Sequence, residues 1–294
     1  MRRVLRISLR ILLVLLLAAA ALGVWKREEI MRLWAVNTLF APDRIVQNFS
    51  HMDRAFLTTP VPRGDGPVSP LPEGAPYDLP NEVETWIEER SVTALVILDE
   101  GDLVHESYHL GTGPDDLRIS WSVAKSYLSA LMGTLVADGT IPDLDAPVTD
   151  YAPLLEGSAY EGASIRDVLQ MQSGVTFDED YLDYDSDINR MGRALALGRS
   201  MDRFAADLEA RDRDPGEQWQ YVSIDTHVIG MVIRGATGRS IPDLLSERVI
   251  APLGLEREPY YITDGEGVAF VLGGLNLTTR DYARLGLMFL QGGV

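Results

Sequence analysis

The chain has 294 residues, 46% of them hydrophobic, which is enough to bury a sizeable core and excludes wholesale disorder. Its formal charge is -18, and because residues 1–27 hold six bases and no acid, the remainder sets 20 bases against 44 acids. So acidic a body repels phosphate backbones and excludes nucleic-acid binding as the main task. With no cysteine there is no disulfide, thiolate zinc site or cysteine nucleophile, and covalent catalysis needs another group.

Arg2, Arg3, Arg6 and Arg10 precede an apolar run over residues 11–25, the pattern of an export signal or a short membrane anchor. The arginines stay in the cytoplasm, which places the acidic body in the periplasm or on the inner membrane facing it. The run is shorter than the roughly 20 residues that span a bilayer comfortably. The small residues Ala18 to Ala21 offer a cleavage site, so cleavage and retention both stay open.

Residues 28–52 are weakly helical, and residues 60–80 hold seven of the sixteen prolines, which predicts an extended linker or a wrapping arm. The expected organisation is a signal or anchor over 1–27, an arm and Pro/Gly-rich linker over 28–80, and one domain over 81–294. Helix-like sequence at 81–90 leads into a hairpin: an apolar strand at 93–98, a turn at Asp99-Glu100-Gly101-Asp102, and a return strand at 103–110. Most of the rest reads as helix, with loops near 141–153 and 178–187 and no internal repeat.

Trp121, Ala124, Leu128, Leu131 and Leu135 recur at spacings of three and four, which predicts an amphipathic helix running to about Asp138. Ser122 and Lys125 fall in its first turn, where a spacing of three sets their Cβ atoms about 5 to 6 Å apart on one face. Of the 26 bases 24 are arginine, and Lys125 is the only lysine beyond the export segment. A serine hydroxyl needs a partner to take its proton. A partly buried lysine can serve, whereas arginine cannot be deprotonated in a protein. Free N–H groups and the positive dipole end at the helix N-terminus favour a developing oxyanion.

Ser122-Val123-Ala124-Lys125, flanked by Ser120-Trp121 and Ser126-Tyr127, resembles the first motif of the serine β-lactamase and penicillin-binding-protein superfamily. The nearest branch is the class C-like one, with its esterases and 6-aminohexanoate-dimer hydrolases. The stretches 164–174, 215–223 and 273–281 resemble the same branch, and the likeness covers roughly 83–294. It implies an α+β fold, an antiparallel sheet flanked by helices with a mostly helical lobe over about 141–213. It also implies hydrolysis of a small-molecule ester or amide through an acyl-enzyme, without metal or organic cofactor. Ser122 matches the acylated nucleophile, Lys125 its proton acceptor or the tuner of that acceptor, and Tyr221 the group that shuttles the proton to the leaving group and later helps activate water. Ser223 matches a substrate-binding position where many members have asparagine. The family's third motif, lysine or histidine then a small residue and glycine, is not met before Gly292-Gly293-Val294, so the C-terminal strands are expected to be missing. One hairpin alone is marginally stable, which matches a sheet short of partners. A non-catalytic envelope binding protein on the same scaffold is the alternative from a different class.

His105-Glu106-Ser107-Tyr108-His109 is a literal H-E-x-x-H, the zinc metallohydrolase signature, which requires a helix. On the second hairpin strand His105 and His109 lie about 13 Å apart at roughly 3.3 Å per residue, too far to share an ion. Asp183-Tyr184-Asp185-Ser186-Asp187 resembles the start of a calcium loop, but Ile188 replaces the glycine and Ala194 the closing glutamate. Near a substrate these carboxylates would favour a cationic or amine-bearing ligand. Gly111-Thr112-Gly113 lacks a third glycine, and no G-x-S-x-G occurs. His227 reads as a packed or exposed histidine, and Ser164 with Asp167 and Thr278 with Asp281 as capping boxes.

Overall fold

The computed structural model describes residues 2–293. Helix α1 (Arg2–Trp25) contains a segment, Arg6–Trp25, that is unburied and, with a mean hydropathy of 2.5, long and apolar enough to cross a membrane. The helix starts before residue 11, so the fifteen-residue apolar run sits in a longer helical segment that also takes in Arg6 and Arg10. Helices α2 (Arg27–Asn37) and α3 (Ile45–Ser50) follow, then strand β1 (Leu57–Pro60). The Pro/Gly-rich stretch wraps along the body. The N–H groups of Val61, Ser69, Gly74 and Tyr77 donate to the carbonyls of Pro259, Gly254, Leu103 and Val104 at 2.8, 2.8, 3.0 and 2.9 Å. Its prolines hold it extended and remove donors, so few hydrogen bonds anchor it.

After α4 (Asn81–Glu89) comes the hairpin of β2 (Ala94–Asp99) and β3 (Asp102–Tyr108), antiparallel and turned at Glu100 and Gly101, both with positive φ. Among the described residues the hairpin pairs with no further strand, and a second, separate sheet that the sequence reading did not find is present. Strands β1, β4 (Arg118–Ile119), β5 (Tyr260–Thr263) and β6 (Leu275–Leu277) form a four-stranded antiparallel sheet in the order β1-β5-β6-β4. These strands have two to four residues, and β5 and β6 are buried almost throughout, so neither length nor alternation marks them.

Helix α5 (Ala124–Ala137) buries Ala124, Leu128, Leu131 and Leu135 as its spacing predicts. Trp121 lies just outside it, in a 3-10 turn at Trp121–Val123. The stretch 141–213 is the expected helical lobe, carrying α6 (Ile165–Leu169), α7 (Asp187–Ala196) and α8 (Met201–Ala206). Helix α9 (Ser223–Thr237) is buried from Ser223 to Ile233 and runs through the centre of the core. Helix α10 (Ile241–Leu245) continues through a π-helical turn at Ser246–Ile250 into α11 (Ala251–Leu253), and α12 (Thr279–Leu290) lies against β2.

The two predicted capping boxes differ. Ser164 and Asp167 close a reciprocal box on α6. Thr278 caps α12, but the buried Asp281 turns away to accept from the N–H groups of Glu256 (2.9 Å) and Arg257 (3.3 Å) and from Arg284 (2.9 Å), tying α12 to the segment before β5.

Candidate active site

The chain leaves β4 at Ser120, whose N–H donates to the Leu275 carbonyl of β6 at 2.7 Å, and turns at once into α5. Trp121 takes φ +42 to make this turn, a conformation costly for a bulky residue. The Trp121 ring is held by Phe40, stacked at 5.7 Å, and by Phe49, edge-on at 5.4 Å. Ser122 emerges exposed from the turn, one helical turn before the half-buried Lys125.

The structure brings Ser122, Lys125 and Tyr221 together. Ser122 Oγ lies 2.7 Å from Tyr221 Oη, and Lys125 Nζ donates to Ser122 Oγ at 3.3 Å and to the Leu272 carbonyl at 2.7 Å. Lys125 Nζ also sits over the Tyr221 ring, 5.4 Å from its centroid. Burial lowers the Lys125 pKa from the usual lysine range, and this outweighs the raising effects of Tyr221 and Glu179. An amine of this kind, once neutral, offers a lone pair to the serine proton.

The segments that resemble one another's family partners in sequence also meet in space. The N–H groups of Gly216 and Gln220 donate to the carbonyls of Gln172 (2.8 Å) and Met171 (2.9 Å), which fixes the approach to Tyr221. Gly174, at φ +74, could not be anything larger, because a Cβ there would lie 2.2 Å from the Arg213 carbonyl oxygen. Ser173 Oγ donates at 2.8 Å, and Tyr160 Oη at 2.7 Å, to Asp225 in the first turn of α9. Burial pushes the Asp225 carboxyl up to about 7 against these donors, and its second oxygen has no partner.

Ser223 lines the site but is itself buried, and its polar groups are engaged. Its N–H and Oγ donate to the Glu179 carboxylate at 2.5 and 3.2 Å, and Tyr181 Oη donates there at 3.1 Å. Glu179 and Tyr181 escaped the sequence reading. Their only signal was the acidic loop that contains them.

Above Ser122 opens a cavity of about 630 Å3. Its inner side carries Ser122, Lys125, Leu272 and Gly273; its outer side comes from the N-terminal arm (Phe40, Phe49, Phe56) and the loop before α7 (Tyr181, Leu182, Tyr184). Two aspartates of that loop are engaged elsewhere: Asp183 Oδ1 accepts from Asp185 N–H, and Asp187 accepts from Asp178 N–H and pairs with Arg190 at 2.6 Å. None of the loop's aspartates lines the cavity, which corrects the expectation of a cation-favouring wall. A second cavity, of about 660 Å3, lies between α2, α7 and α8 and holds neither Ser122 nor Lys125.

The zinc alternative fails on geometry. His105 and Glu106 are in strand β3, on opposite faces, and Glu106 pairs with Arg280 at 2.6 Å. The two imidazoles are closer than the strand rise predicts, since His105 Nε2 and His109 Nε2 each lie 3.0 Å from Ser107 Oγ. Among the described residues no group of three or more His, Asp or Glu is placed to hold a metal. His227 is buried, with Nε2 at 2.8 Å from Asp202, which Arg234 also pairs at 2.6 Å.

Residues 83–293 match the family described as Beta-lactamase. The chain belongs to that family. It is similar to the 6-aminohexanoate-dimer hydrolase of Paenarthrobacter ureafaciens, 34% identical over 250 residues, covering 83% of this chain and 61% of that protein. Among solved structures it resembles a Bacillus anthracis protein assigned as a 6-aminohexanoate-dimer hydrolase (TM-score 0.77, 22% identity, 87% of this chain and 71% of the other). It also resembles a D-stereospecific amidohydrolase from Streptomyces (TM-score 0.52, 23% identity, 64% and 65%). The fold is the β-lactamase-like α+β fold, and the chain spans about three-fifths of the curated relative's length.

Proposed function

We propose that this family member is an exported serine hydrolase that cleaves an ester or amide through an acyl-enzyme on Ser122. The reading rests on one observation, a hydroxyl flanked by a phenol at 2.7 Å and a burial-depressed amine at 3.3 Å. Neutral Lys125 takes the Ser122 proton as Oγ bonds to the substrate carbonyl carbon. The N-terminal end of α5 favours the resulting oxyanion. Tyr221 gives its proton to the departing alkoxide or amine and is reprotonated from Lys125. Water then adds to the acyl-serine carbonyl, returning one proton to Ser122 and releasing the acid. Ser223 itself lines the cavity, with its N–H and Oγ held by Glu179. The names of the relatives point to amides as substrates, and the apolar α1 supports export with or without retention in the membrane.

A fluorophosphonate probe tests this. Mass spectrometry of the full chain should find Ser122 modified, with the label absent from Ser122→Ala. Folded protein that stays unlabelled at millimolar probe is instead a binding protein on the same scaffold.

A further inference from the structure

The cavity beside Ser122 has a chemistry of its own. Among the described residues that line it there is no carboxylate, so a substrate ammonium would find no counter-ion. Glu179, which holds the N-terminus of α9 at Ser223, already accepts from Ser223 N–H, Ser223 Oγ and Tyr181 Oη. Besides Lys125 the charged group on the lining is Arg193, and it is turned aside, stacked on the Tyr184 ring at 3.8 Å and donating to the Tyr184 carbonyl at 2.6 Å. The rest of the lining is mainly apolar, with Asn37, Asn189, Ser223 and two tyrosines as neutral polar groups: Phe56 and Met52 are buried, while Phe40 (58% exposed) and Leu182 (96% exposed) stand open to water. Large apolar side chains left in water around a concave site mark a surface that binds apolar matter.

The cavity also has a direction. Ser122, Leu272 and Gly273 line it, whereas Tyr221 reaches Ser122 Oγ without being part of the lining. If the leaving group departs on the side that protonates it, the acyl part of the substrate takes the cavity.

Resting on the hydrolase reading above, we infer that the substrate is an ester or amide of an uncharged aliphatic acid of about eight carbons or more. The outer wall of its acyl site is built by the arm that continues from α1 and α2. In the covalent step the Ser122 Oγ–acyl bond forms as the bond to the alcohol or amine breaks; the chain stays in the cavity until water releases the acid.

The test is kcat/KM for p-nitrophenyl acetate, hexanoate, 6-aminohexanoate, octanoate and dodecanoate with the full chain. Each buried methylene should raise kcat/KM about two- to fourfold, so octanoate should exceed acetate by about 50-fold or more. Hexanoate should exceed 6-aminohexanoate. Phe40→Ala, at an exposed position, should lower the dodecanoate-to-acetate ratio about fivefold. A flat or falling series, or a preference for the amino ester, overturns the inference, while labelled Ser122 leaves the hydrolase reading in place. Should no ester be cleaved, titration of Ser122→Ala with octanoate and 6-aminohexanoate decides: the inference requires tighter octanoate binding and is overturned by equal or reversed affinities.

Discussion

The two sides of the cavity hold their side chains by different physics. On the inner side, α5 and α9 are buried and each reactive or charged group is tied by a short hydrogen bond: Lys125 to the Leu272 carbonyl, Asp225 to Tyr160 and Ser173. On the outer side, Phe40 and Phe49 pack edge-on at 5.9 Å, and the loop before α7 is held by its own backbone and by Asn189, whose Nδ2 donates to the Asp183 carbonyl at 2.6 Å. Hydrogen bonds fix atoms to fractions of an ångström, which proton transfer requires. Apolar contact supplies area and tolerates variation in shape. Changes on the inner side should therefore act on rate and stability, and changes on the outer side on which acyl group is preferred.

The largest effect expected on the inner side is that of Lys125→Arg. The charge and much of the length are retained, but a guanidinium does not release its proton. We expect kcat/KM on a preferred ester to fall about 1000-fold, within the range for loss of a general base. Activity within tenfold of the parent chain would show that Lys125 acts only as a fixed charge.

Asp225→Asn comes next and reads out in stability. Its carboxyl is raised from 3.8 to about 7 in the folded protein, so the folded state keeps a proton that the unfolded chain has lost. Its contribution therefore makes the protein less stable as pH rises from about 4 to about 7, with a plateau above. The linked free energy is roughly 4 kcal/mol at most. Asparagine retains an acceptor for Tyr160 and Ser173 and does not titrate. Urea titrations of both chains at pH 4 and pH 8 should show the variant gaining on the parent by an amount of that order. Parallel pH dependences would mean that Asp225 titrates normally.

The same contrast explains what could be read from the sequence. The inner side announced itself: the spacing of Ala124, Leu128, Leu131 and Leu135 drew α5, and a lone lysine three residues after a serine marked its first turn. The hairpin was legible because Glu100-Gly101 punctuates it. Strands β4, β5 and β6 were not, since their short length is sustained by partners distant in sequence, as when Arg118 pairs with Leu277. The outer wall was equally silent. Phe40 and Phe49 follow no period, and only the fold shows that they clamp Trp121. Thr278 and Asp281 carry the same signature as Ser164 and Asp167, yet a tertiary demand from Glu256 and Arg257 redirects the aspartate.

Glu179 sits where the two sides meet, and the smallest predicted effect belongs to it. It is part of the outer loop, but its carboxylate grips the N-terminus of α9 through Ser223, and its charge raises the Lys125 pKa against the stronger lowering by burial. Glu179→Gln keeps an oxygen for the Ser223 N–H and removes the charge. The Lys125 pKa should then fall further, so the amine becomes neutral at lower pH. With the neutral amine as the proposed acting form, kcat/KM should rise with pH as it forms, and that rising limb should move toward lower pH in the variant. The acyl-chain ratios should stay as they are, since the lining of the cavity is unaltered. Phe40→Ala should give the mirror image, altered ratios on an unmoved limb. A limb that shifts upward in Glu179→Gln, or chain ratios that change with it, would mean that the carboxylate acts by shaping the wall and that the two sides are not separable.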